Sequence, residues 1–212
     1  MLKKERFSAY SHLVGLIASV VGSVVLIWLA RNSPNMIVTS VYGFSICLLF
    51  AASFFYHSLK KREDEYSLWR ILDHIAIFFM VAGTYTPIAY IYLDGAWKWG
   101  IIIAQWSIVG LGLILTPFIL DLPRWVEVGM YISMGWMAVL PFKQLIANVP
   151  ISSLMLVLAG GLSFTIGAII HSFNKDKPLP GIFEFHDIWH LFVLLGGSLH
   201  YTAIYIAVAS SF

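Results

Sequence analysis

The chain has 212 residues, of which 59% are apolar and only 11% are charged. Soluble domains carry about a quarter charged residues, so this composition indicates a membrane protein. The net charge of +2 is too small to indicate nucleic-acid binding, and a single cysteine, Cys47, excludes a disulfide framework.

Seven stretches are long enough to be transmembrane helices, which need about 20 mostly apolar residues. We predict spans at residues 12–30, 36–58, 71–93, 97–119, 124–141, 151–172 and 186–208. The connections between them are short. The prediction for residues 1–212 is therefore one all-α membrane domain, a seven-transmembrane helix bundle.

Lysine and arginine set the predicted orientation, because cytoplasmic segments of membrane proteins carry an excess of both. With the N-terminus in the cytoplasm, most of the 13 Lys and Arg residues lie inside, whereas Arg31, Lys98 and Lys143 lie outside. Seven spans then place the C-terminus outside. The predicted location is the cell membrane, with membrane lipid as the partner.

Three histidines at predicted helix ends form a candidate metal site. His186 and His190 are four residues apart at the start of the seventh span, so they lie on one face of a helix. His57 ends the second span at the same predicted depth. Three neutral imidazoles with an open fourth position are a typical ligand set for catalytic zinc. The alternative is that they are unrelated residues at a membrane boundary.

Two further side chains are candidates for catalysis. Asp73 opens the third span on the cytoplasmic side, and ionisable residues at membrane depth are costly and usually functional. Its carboxylate could hold a water molecule beside a metal ion and take a proton from it. Ser53, one turn before His57, could orient that imidazole or bond to its own helix. Asp187 is a weaker candidate base, because on a helix it points about 100° away from the ligand face.

The remaining histidines of interest have simpler interpretations. His12 lies at the cytoplasmic boundary of the first span, where a solvated or packed residue is commoner than a ligand. His171 ends the sixth span before a polar turn and is interpreted as solvated. His200 lies about 15 Å farther along the seventh span than the His186 pair, so we interpret it as a polar bridge to another helix.

Several motifs together resemble the bacterial hemolysin III family of the progestin and adiponectin receptor superfamily. They are Ser53-x3-His57, Arg70-Ile71-Leu72-Asp73-His74, Ala82-Gly83-Thr84-Tyr85-Thr86-Pro87 and His186-x3-His190. The resemblance covers nearly the whole chain. It implies seven helices, a cytoplasmic N-terminus, zinc held by His57, His186 and His190, and the acid at Asp73 beside the water on the metal. The opening Glu5-x2-Ser8-x2-Ser11-His12 is similar to a family pattern that often has Asn at the position of Ser8, so the roles of Glu5 and His12 stay open.

The resemblance leaves three functions in view, since it implies receptors and ceramide hydrolysis among animal members and haemolysis among bacterial ones. The first is a zinc-dependent intramembrane hydrolase of a lipid amide or ester, with Asp73 as general base and Ser53 assisting. The second is a receptor-like or membrane-homeostasis regulator in which zinc fastens helices. The third is a cytolytic pore former. The first, fourth and sixth spans show little of the polar striping that a wide monomeric pore needs, but an oligomer could still form a pore.

Overall fold

A computed structural model of the chain describes residues 1–62, 66–119, 124–173 and 184–211. Every element in these ranges is helical. After a 3-10 turn at Lys3–Glu5, the helices are α1 (Arg6–Ala30), α2 (Asn35–Leu59), α3 (Leu68–Tyr92), α4 (Gly95–Ile119), α5 (Arg124–Gly135), α6 (Phe142–Asn148), α7 (Ile151–Phe173) and α8 (Phe185–Ala209). A second 3-10 turn, Trp136–Val139, lies between α5 and α6.

Six of these helices, α1 to α4, α7 and α8, are long and apolar enough to cross a membrane. They confirm six of the predicted spans, and the chain is a multi-pass membrane protein. The stretch predicted as a span at 124–141 differs, because α5 has only 12 residues. Such a helix is about 18 Å long, which is less than the roughly 30 Å of a bilayer core.

The interrupted segment from α5 to α6 runs beside α3 from one end to the other. Near the start of α3, the Tyr131 hydroxyl donates to the backbone oxygen of His74 at 3.2 Å. At the far end, the amide nitrogen Nδ2 of Asn148 donates to the backbone oxygen of Tyr92 at 2.8 Å. The two contacts show that the segment runs parallel to α3.

A tyrosine of α3 bridges the interruption itself. The Tyr85 hydroxyl donates to the backbone oxygen of Gly135 at 2.6 Å and accepts from the backbone N–H of Ala138 at 2.8 Å. Gly135 is a weak helix former and Pro141 disfavours a helical residue before it, so both weaken a continuous helix here. Tyr85 thus supplies hydrogen-bond partners that the broken helix lacks.

The main helix contacts are those of α1 with α2 and α8, of α2 with α3, of α3 with α4, and of α7 with α8. Its core contains Tyr42, Ile46, Phe50, Met80 and Ile204, all almost fully buried. The outer faces carry large exposed apolar side chains instead of charged ones, for example along α1 and α7. Such apolar surfaces suit contact with lipid. The backbone polar groups do not prevent this contact, because they are already hydrogen-bonded within each helix.

We expect Gly83→Ala to destabilise the bundle at the contact between α2 and α3. A Cβ at Gly83 would overlap the Cβ and hydroxyl of Ser45. Overpacking of this kind costs about 1–3 kcal/mol, so the unfolding temperature of the detergent-purified protein should fall.

The matched control is Gly110→Ala in α4, where the new Cβ would have no described atom within 4 Å apart from the local chain of its own helix. Alanine is favoured over glycine in a helix by about 0.5–1 kcal/mol, so this variant should be as stable as wild type or slightly more stable. Equal unfolding temperatures for Gly83→Ala and wild type would contradict the packing described.

Candidate metal centre

The first two turns of α8 carry two of the three histidines. Glu184 caps the helix by accepting from the backbone of Asp187, while the Asp187 carboxylate accepts from the backbone N–H of Glu184 at 2.8 Å. This reciprocal capping box fixes where the helix begins. It therefore sets the depth at which His186 and His190, one turn apart, face the bundle interior.

The ring of His57, in the last turn of α2, meets the two histidines of α8. Its Nε2 atom lies 3.2 Å from Nε2 of His186, which lies 3.0 Å from Nε2 of His190. His57 and His190 are almost fully buried, and His186 is half-buried. The structure thus brings together all three histidines that the sequence predicts as ligands.

The chemistry of these three nitrogens fits a metal ion. An imidazole nitrogen carries either one proton or one lone pair, so Nε2 of His186 cannot make a good hydrogen bond to both of its neighbours. A cation between the rings accepts all three lone pairs at once. Ligands of tetrahedral zinc at about 2.0–2.1 Å from the ion lie about 3.3 Å from one another. The His57–His186 and His186–His190 separations, 3.2 Å and 3.0 Å, are close to this value.

A carboxylate from the N-terminal turn contacts the other nitrogen of His57. Oε2 of Glu5 lies 2.6 Å from Nδ1 of His57, and its Oε1 accepts from the Lys60 ammonium at 2.8 Å. Partial burial acts to lower the pKa of Lys60, but hydrogen bonds to Glu5 and Tyr56 and the charge of Glu5 outweigh it. The pKa of Lys60 is therefore raised, and its side chain is charged at neutral pH.

Asp187, the weaker candidate base, has both carboxylate oxygens engaged. Its Oδ1 accepts from the hydroxyl of Ser8 at 2.7 Å, and its Oδ2 accepts from the backbone N–H of Glu184. The side chain is almost fully buried. It serves to cap α8 and to join that helix to α1.

Two more histidines flank the three candidate ligands. The ring of His12 lies 3.9 Å from that of His190, and the ring of His171 lies 4.9 Å from that of His186. The interpretation of His171 as solvated is therefore incomplete, because it is half-buried against the site. Their shared depth at the cytoplasmic boundary was the sequence signal that could have grouped them with the ligands. His200 instead bonds the backbone oxygen of Val157 in α7 at 3.0 Å, as a polar bridge should.

The site opens into a cavity of about 1030 Å³. Glu5, His57, Lys60, Asp73 and His186 line its polar end. Mostly apolar side chains line the remainder, which reaches Leu93 at the other end of α3. Asp73 and Leu93 are roughly 30 Å apart along the helix, so the cavity is long and has its charged groups at one end.

The two predicted catalytic side chains differ in position. Asp73 is half-buried and lines the cavity together with His57 and His186. Ser53 is buried in α2, one turn before His57, and is not among the residues that line the cavity. Their roles in catalysis stay predictions.

Comparison with known proteins gives consistent matches over nearly the whole chain. A family profile described as Haemolysin-III related matches residues 1–201. The "Hemolysin-3" of Bacillus cereus is 34% identical over 208 residues, covering 96% of this chain and 91% of that protein. The "Hemolysin-3 homolog" of Bacillus subtilis is 31% identical, with 93% and 90% covered. The human "Monocyte to macrophage differentiation factor" is 26% identical, with 93% and 82% covered.

We expect purified protein to hold about one divalent ion per chain and His190→Ala to lose it, because two imidazoles alone bind such an ion weakly. Elemental analysis after gel filtration in metal-free buffer measures this. The matched control is His200→Ala on the same helix, which should keep the ion. Retention of the ion in His190→Ala would rule out the three-histidine site.

Proposed function

Because the chain belongs to the haemolysin-III related family, we propose that it is a zinc-dependent hydrolase of a lipid amide or ester within the membrane. One observation carries the proposal. Three imidazole nitrogens that suit a metal ion lie together, and two of the rings, those of His57 and His186, line the polar end of a long, mostly apolar cavity. An amphiphile with a carbonyl group next to its head matches that distribution of polarity.

Zinc is the ion we propose for the site. Imidazole ligands suit several first-row metals, but zinc favours tetrahedral sites with three protein ligands and one exchangeable position. Bound there, it would polarise a carbonyl group and lower the pKa of a water molecule toward neutral pH.

The cavity supplies binding and orientation. Its apolar walls, among them Met80, Phe164 and Val193, would take the acyl chain. The head of the lipid would then lie beside Glu5, Lys60 and Asp73. Such positioning turns attack on the carbonyl into an effectively unimolecular step.

Asp73 would be the general base. Its carboxylate would accept a proton from a water molecule as the water oxygen attacks the carbonyl carbon. It would then return that proton to the amine or alcohol that departs as the C–N or C–O bond breaks. Ser53 would support the site through α2, one turn from His57. The products are a carboxylic acid and an amine or an alcohol.

The proposed topology has seven crossings, with the N-terminus and the site on the cytoplasmic side of the cell membrane. The six long spans supply most of it, and the path of α5 and α6 along α3 supports a seventh, interrupted crossing. The charges support the orientation, since Lys60 and Arg70 lie at the end of the bundle that holds the site.

We expect Asp73→Asn to keep its metal ion and to lose activity by about 100- to 10,000-fold, the usual contribution of general acid–base catalysis. The assay supplies N-acyl amines and acyl esters in detergent micelles and measures released fatty acid by mass spectrometry. Asp94→Asn, an exposed acid beyond the far end of α3, is the control with the same substitution and should retain full activity.

Undiminished hydrolysis by Asp73→Asn would exclude Asp73 as the base. If metal-loaded wild type released no product from any substrate of the panel, the hydrolase proposal would fail. The metal would then have a structural role, fastening α2 to α8 in a receptor-like or regulatory protein.

A further inference from the structure

The N-terminal 3-10 turn places a buried carboxylate directly behind the candidate metal centre. Glu5 is only 5% exposed. A buried carboxylate is costly unless its oxygens are paired. Both oxygens of Glu5 have partners, His57 on one side and Lys60 on the other.

This contact determines where His57 carries its proton. Glu5 is joined to the charged Lys60, so its carboxylate is ionised and can only accept hydrogen bonds. Nδ1 of His57, 2.6 Å from Oε2, must then be the donor. A neutral imidazole with its proton on Nδ1 has its lone pair on Nε2, the atom that faces His186.

We propose that Glu5 is a positioning residue of the metal site, which fixes the tautomer and the ring orientation of His57 for the ion. The proposal rests on the metal site of the preceding subsection but not on the hydrolase activity. Carboxylates in this position orient histidine ligands and raise their basicity, and their loss lowers metal affinity about 10- to 100-fold.

The contact between Ser8 and Asp187 provides a control that distinguishes positioning of His57 from simple attachment of α1 to the bundle. Ser8 donates to Asp187, which caps α8 but is not a predicted ligand. Ser8→Ala thus removes an equally short, buried contact between the same N-terminal segment and the bundle. It leaves the carboxylate at His57 in place.

Lysine at position 60 makes Glu5→Gln a sharp test. The amide oxygen of a glutamine would turn toward the Lys60 ammonium, because that contact involves a full charge. Its NH₂ group would then face Nδ1 of His57 and favour the proton on Nε2, where it blocks the metal. In the double variant Glu5→Gln with Lys60→Met, the amide oxygen is free to turn back to His57.

The experiment measures zinc affinity of detergent-purified full-length protein by competition with a chromophoric chelator. We expect Glu5→Gln to bind zinc about 10- to 100-fold more weakly. Ser8→Ala should bind within about threefold of wild type, and the double variant should bind more tightly than Glu5→Gln. The visible spectrum of the cobalt-substituted protein should change in Glu5→Gln and not in Ser8→Ala, because only the first alters the ligand field of His57.

Each contrary outcome has a distinct meaning. If wild type bound no metal, both the metal site and this inference would fail. If wild type bound zinc and Glu5→Gln bound it equally well, only the role of Glu5 would fail. Equal weakening in Ser8→Ala, or a double variant no better than Glu5→Gln, would show that Glu5 acts by attaching the N-terminus and would overturn the tautomer argument.

A measurement on wild type guards against a variant that does not fold. Imidazole nitrogen-15 spectra of the metal-free protein, with the His57 signals assigned by their loss in His57→Gln, report which nitrogen of that ring carries the proton. We expect the proton of His57 on Nδ1. A proton on Nε2 would overturn the proposal.

Discussion

Three imidazole nitrogens that face a single point are the constraint on which the rest of the structure depends. Hydrogen bonds among the three nitrogens cannot pair every lone pair and proton. The arrangement therefore has to be held by the surrounding helices or by a cation. The helices hold the three rings in place and point their nitrogens at a position that a cation could occupy. α2 ends where His57 is needed, and the capping box starts α8 where His186 and His190 are needed. Glu5 and Ser8 of the N-terminal segment contact these two places, one each.

The low dielectric of the bundle gives these contacts their weight. Charges and hydrogen bonds that are weak at a protein surface are much stronger where water is scarce. The ionisable groups around the site are correspondingly paired: Glu5 with Lys60 and His57, and Asp187 with Ser8 and the helix cap. The cavity continues from this polar end into apolar surroundings, which is the order of environments that a membrane lipid itself has.

The features that were predicted correctly from the sequence are those that depend on residues close together in the chain. Six spans follow from runs of apolar residues, and the spacing of His186 and His190 follows from the period of a helix. The break after Gly135 did not, because hydropathy stays high through it. What stabilises it is a hydroxyl of Tyr85, far away in the sequence. The contact of Glu5 with His57 joins residues 52 positions apart, and no pattern within either segment reveals it. His171 was interpreted from its polar neighbours in sequence, whereas its ring packs on α8.

The bridge made by Tyr85 has a consequence for how the protein assembles. A phenol hydroxyl has one proton to give and lone pairs to accept, so a single side chain serves both the carbonyl of Gly135 and the N–H of Ala138. In the hydrocarbon core of a bilayer, each backbone group without a hydrogen-bond partner costs several kcal/mol. In the proposed seven-crossing topology the broken segment is therefore poorly suited to enter the bilayer alone, and it requires α3 beside it. Synthesis from the N-terminus delivers α3 first, so the order of the helices along the chain is also the order of insertion that this break requires.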